Sequence, residues 1–135
     1  MKGENIPKIR FNSFNDEWEE KKYTETFDTS VSNNTLSRAE LTTERTSTQN
    51  VHYGDVLIKF DSILDVKKNE IPYIPEDVKI DSKNLLKNGD IVFADTAEDE
   101  TCGKATELNN IDNEKLVAGL HTFIARPKIK FEPRV

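Results

Sequence analysis

The sequence predicts an α+β fold: a curved, mainly antiparallel sheet with long loops and a few short helices. Three observations lead there. Short apolar runs opened by Gly-Asp occur at residues 54–60 and 90–95, and a third, 120–125, is stopped by Pro127, the pattern of buried strands. Residues 24–50 are rich in Thr, Ser and Asn and carry no helical or strand period, which predicts loop. The 135 residues suit one domain, 1–135, and leave little room for two.

Taken in order, residues 1–15 contain Pro7 and several Asn and Ser, and read as an extended entry. Residues 16–22 (DEWEEKK) predict a short helix capped by Asn15 or Asp16, with acids first, lysines last and Trp18 as its anchor. One helical turn is expected near Leu36 to Leu41. Gly54 to Phe60 reads as a buried strand fed by a Gly54-Asp55 turn. Pro72 and Pro75 exclude a central strand over 71–76 and predict a rigid surface link. Residues 81–86 predict a short helix or turn ended by Asn88-Gly89. Residues 90–95 (DIVFAD) form the clearest strand, and residues 96–103 an acidic loop closed by Gly103. Residues 104–108 suit another strand, and a last one runs from Leu120 to Ala125 and stops at Pro127.

Apolar residues make up 35% and charged residues 33%, so the core is modest. The net charge of −6 is uneven: residues 51–100 hold six lysines and twelve acids, and residues 101–135 six cations and four acids. An acidic chain gains nothing from long-range attraction to phosphate. The single cysteine, Cys102, excludes an internal disulfide and fits a reducing compartment. No apolar run approaches the roughly 20 residues that span a bilayer. The N-terminus precedes no apolar stretch of a secretory signal, so no membrane partner and a cytoplasmic location are expected.

Catalytic constellations are weak. His52 and His121 have no second histidine at helical spacing and no paired cysteines, which argues against a structural zinc site. Asp95, Glu98, Asp99 and Glu100 offer oxygen ligands for a hard cation, but a solvated acidic loop is the simpler reading. An Asp/Glu-x-Lys pattern of metal-dependent nucleases occurs at Asp65-Val66-Lys67, at Asp77-Val78-Lys79 and at several other places, too often to be informative. Cys102 follows Glu98, Asp99 and Glu100, whose charge disfavours a thiolate partnered with His121. The five glycines are scattered and form no phosphate loop. No catalytic residue, metal site or cofactor is therefore expected. The polar stretches Thr42 to Tyr53 and Gly103 to Thr106 are chemically suited to base edges and phosphates.

Two blocks sharpen that expectation. Asn50-Val51-His52-Tyr53-Gly54-Asp55-Val56-Leu57 is followed by Ile71-Pro72-Tyr73-Ile74. Later come Gly89-Asp90-Ile91-Val92-Phe93-Ala94-Asp95, Gly103-Lys104-Ala105, Ala118-Gly119-Leu120-His121-Thr122 and Ala125-Arg126-Pro127-Lys128. In this order, and after the opening Pro7 to Phe11 and Asp16-Glu17-Trp18, they resemble the target-recognition domain of a type I restriction–modification specificity subunit. The resemblance spans nearly the whole chain.

It implies a non-catalytic role. Such a subunit reads a split sequence in double-stranded DNA. A methyltransferase (modification) subunit brings S-adenosylmethionine, and a separate restriction, or motor, subunit cuts. It also implies that the family's domain and spacer helix continue beyond Val135, so a C-terminally truncated domain is expected. Gly119 to Thr122 is expected to be a turn into a strand, and Gly54 and Gly89 to serve turns. From residue chemistry, Arg45, Ser47, His52, Tyr53, Lys59, Lys104 and Thr106 are the candidate DNA contacts. The rival expectation is a protein-interaction remnant that binds or competes for a methyltransferase subunit.

Overall fold

The computed structural model describes residues 6–13 and 15–129. It is an α+β fold with two mixed sheets, short helices and long loops, as the sequence predicts. The strands are β1 (Phe27–Asp28), β2 (Thr48–Val51), β3 (Ile63–Asp65), β4 (Tyr73–Ile74), β5 (Ile91–Ala94), β6 (Ala105–Asn109), β7 (Lys115–Ala118) and β8 (Thr122–Pro127). The helices are α1 (Tyr23–Thr26) and α2 (Tyr53–Ile58), with 3-10 turns at Arg38–Glu40 and Ser82–Asn84.

One sheet runs β1-β8-β5-β6-β3 and the other β4-β2-β7. Strands β3 and β6, and β2 and β7, pair in parallel; the other four pairings are antiparallel. The core is filled by Val51, Val56, Phe60, Leu64, Val92, Leu108, Leu116 and Ile124, drawn from both sheets and α2. Among the described residues no helix is long and apolar enough to cross a membrane.

Residues 54–60 are the main correction: they form no strand, and 54–58 belong to helix α2, with Lys59 as its C-cap and Phe60 just beyond. Burial explains why. A strand would place Val56, Ile58 and Phe60 on one face. Val56 and Phe60 are buried, four apart, while Ile58 between them is 88% exposed. That is the helical period. The helix also has a cap at its start: Gly54 N–H donates to the His52 Nδ1 at 3.0 Å.

Residues 16–22 form no helix, and a single turn follows them at Tyr23–Thr26. A seven-residue helix with one apolar side chain has too little to bury against its nucleation cost. Trp18, the expected anchor, is 65% exposed. The proline segment does avoid a central position, with β4 a two-residue edge strand. It is no surface link, however: Ile71 and Ile74 are buried, and Tyr73 exchanges backbone hydrogen bonds with Thr42 at 2.8 and 2.9 Å.

Residues 48–50, within the expected 24–50 loop, instead join Val51 in the fully buried central strand β2. Residues 116–126 hold two strands, β7 and β8, separated by a turn at Gly119–His121 with His121 at φ 55°. The expected turn into the last strand is present. So are the helical turn near 36–41, the short helix in 81–86 and strands β5 and β6. Gly89 serves a turn at φ 87°, whereas Gly54 sits in α2.

Candidate functional site

An open groove of about 680 Å3 lies between β2, the β4 edge, α2 and the turn after β3. Its rim carries Arg38, Arg45, Lys59 and Lys67 together with Asp55, Glu70 and Glu114. The volume is that of an ordinary ligand cleft, but a cleft for an apolar small molecule is lined mostly by apolar side chains. Here ions and polar side chains, among them Gln49, Thr43 and Asn69, share the lining about evenly with an apolar part formed by Val66, Ile71, Pro72 and Tyr73.

Three of the four cations are matched by carboxylates. Arg38 grips Asp55 with both terminal nitrogens, at 3.1 and 2.6 Å. Lys59 donates to Glu70 O at 2.9 Å and faces the Glu70 carboxylate at 3.8 Å. Lys67 pairs with Glu114 and, at 3.2 Å, with Asp112. The hydrogen bond from Lys67, helped by the Asp112 backbone N–H, holds the Glu114 carboxyl down at about 2. The same contacts raise the Lys67 pKa. Arg45 is exposed and has no ion-pair or hydrogen-bond partner among the described residues.

Of the seven candidate residues, the groove brings together Arg45 and Lys59. Ser47 stands apart, with its N–H and hydroxyl both donated to the Glu76 carboxylate at 2.6 and 2.8 Å. His52 and Tyr53 form a second cluster at the start of α2. Their rings lie 4.7 Å apart, and the Tyr53 ring meets His121 edge-on at 5.3 Å. Burial, reinforced by the nearby Arg38 cation, lowers the His52 pKa and keeps the imidazole neutral as a helix cap. Lys104 donates to Leu57 O at 3.0 Å, near the end of α2. Thr106 is 1% exposed and donates to Asp61 O at 2.7 Å, so it faces no ligand.

Sequence reasoning passed over Gln49, Arg38 and Lys67 in the groove. Gln49 had a detectable signal, because it falls within the polar stretch Thr42 to Tyr53. Lys67 lies inside a nuclease-like Asp-x-Lys pattern too frequent to single it out, and nothing local to Arg38 marks it.

The acidic loop satisfies itself: Asp95 accepts from Thr96, and Asp99 accepts from the Thr101 N–H and hydroxyl. The Cys102 thiol donates to Asp95 O at 3.1 Å, while His121 Nδ1 faces Thr96 at 3.3 Å. Among the described residues no group of three or more His, Cys, Asp or Glu is placed to hold a metal ion. No protein-family model, curated protein or solved structure matches the chain.

Proposed function

We propose that this chain is a non-catalytic DNA-recognition module, the sequence-reading part of a type I restriction–modification specificity subunit. It works with a methyltransferase subunit, and through the complex with the restriction subunit. One observation carries the reading. The two elements with the most specific resemblance, Gly89 to Asp95 and Gly119 to Thr122, meet where β5 pairs with β8, with Ala94 opposite Thr122. Asp90 from the first grips Arg126, from the Ala125 to Lys128 block that follows the second, at 2.8 and 2.9 Å. The β5–β8 pair thus serves as scaffold, and the polar segments around it are left to meet a ligand. Loops carried on a rigid sheet are a common way to present recognition residues.

The exposed Ile9 and Trp18 favour a second reading, in which the chain binds or competes for a methyltransferase subunit without reading DNA. Co-purification with a type I methyltransferase subunit, with and without duplex DNA, separates the two. DNA recognition predicts that duplex strengthens or is retained in the complex. Capture of the subunit with duplex excluded supports the second reading.

A further inference from the structure

Two side chains in the groove stand out because they are unspent. Arg45 has no partner, and the Gln49 carboxamide makes no hydrogen bond among the described residues. Gln49 is only 9% exposed and lines the groove. The residue as a whole is nearly buried, yet its amide atoms are open to the groove. Here it offers two N–H donors and an oxygen to whatever enters. Arg38, Lys59 and Lys67 already face carboxylates, so among the described residues Arg45 lines the groove as an unpaired positive charge, and the Gln49 amide shares that lining.

We infer that this groove seats the sugar–phosphate backbone of one DNA strand, with Arg45 and the Gln49 amide holding a single phosphodiester and so fixing the register of the domain on the duplex. The inference rests on the DNA-recognition reading and adds the part of DNA that this surface contacts. Shape favours backbone over base. Base edges lie at the bottom of DNA grooves and are reached by protruding helices or ribbons. The phosphate ridge stands out from the duplex and fits a concavity. Gln49, only 9% exposed in the lining of the groove, is badly placed to reach a base edge. The Arg45 guanidinium has the fork geometry that matches phosphate oxygens, and a neutral carboxamide can donate to the same group. Contacts of this kind position a protein without carrying sequence information.

The test is a fluorescence anisotropy titration of the full chain with two duplexes of unrelated sequence, from about 25 to about 200 mM salt. Arg45→Gln is compared with wild type, with Gln49→Leu as a second variant and exposed Lys79→Gln, outside the groove, as control. One lost phosphate contact should flatten the slope of log affinity against log salt by about 0.9 and weaken binding roughly five- to tenfold. The inference expects this for Arg45→Gln on both duplexes alike, a uniform loss for Gln49→Leu with folding intact by circular dichroism, and no change for Lys79→Gln. A wild-type slope for Arg45→Gln overturns the inference and leaves the DNA reading standing. A loss confined to one duplex overturns it in favour of base reading. Wild-type chain that binds neither duplex at the lowest salt removes the DNA reading and the inference with it.

Discussion

Asp90 and Arg126 form a two-pronged ion pair across the front of β5 and β8, with Nε to Oδ1 at 2.9 Å and Nη2 to Oδ2 at 2.8 Å. Asp90 is 1% exposed, and its second oxygen also accepts the Lys87 N–H, which ties the turn at Gly89 into the sheet. Arg126 reaches on to Leu85 O at 3.0 Å. The pair therefore joins the 3-10 turn, the turn before β5 and the last strand.

Removing Asp90 leaves the part-buried Arg126 guanidinium without its carboxylate and the Lys87 N–H without its acceptor. Asp90→Ala is expected to lower stability by about 3–5 kcal/mol, measured by urea unfolding. A change below about 1 kcal/mol would mean that Arg126 finds water as readily as it found the carboxylate.

Gly119 lies against β2. A Cβ there would sit 2.7 Å from Asn50 Nδ2 and 3.0 Å from the Val51 carbonyl oxygen. Asn50 is fully buried, and its Oδ1 accepts from Asn34. The added methyl has no flexible neighbour to displace, so Gly119→Ala is expected to cost about 1–3 kcal/mol by overpacking. Calorimetry reads this as a lower Tm, and an unchanged Tm would show that β7 and β2 separate without cost.

The helical reading of residues 53–58 separates two apolar side chains that a strand would place together. Phe60→Ala is expected to cost about 3–5 kcal/mol, and Ile58→Lys to stay within about 0.5 kcal/mol. Comparable losses at both positions would return the segment to a strand.

His52 makes stability depend on pH. Its folded pKa lies below the ordinary 6.5, chiefly because burial disfavours the cation. The unfolded chain then takes up the proton first as pH falls. This contribution to stability is full above the unfolded value and declines as pH drops from about 7 toward the lowered folded pKa. His52→Asn keeps a side-chain acceptor for the Gly54 N–H and removes the titration. Its stability should be flatter than wild type between about pH 7 and 5. Equal slopes in urea titrations would assign the dependence to other groups.

Much of the sheet was legible because apolar runs such as Ile91 to Ala94 bury both faces. Strand β2 is hidden because Thr48, Gln49 and Asn50 are polar and still buried, Asn50 being held by the distant partners Asn34 and Pro72. Helix α2 was misread because a short apolar run carries either period, and the deciding fact, the exposure of Ile58, is tertiary. The groove was half legible. Arg45 and Lys59 stood out by residue type, but their meeting depends on the β4 edge folding back beside Thr42.

Sequence reading by the protein itself is tested most directly by passing the full chain, with a type I methyltransferase subunit present, over a pool of randomised DNA duplexes at low salt and sequencing what is retained. A short defined motif enriched over successive rounds is the result expected, and it should persist when the methyltransferase subunit is kept and the salt is raised. Retained duplexes that match the starting pool at every position would contradict sequence recognition.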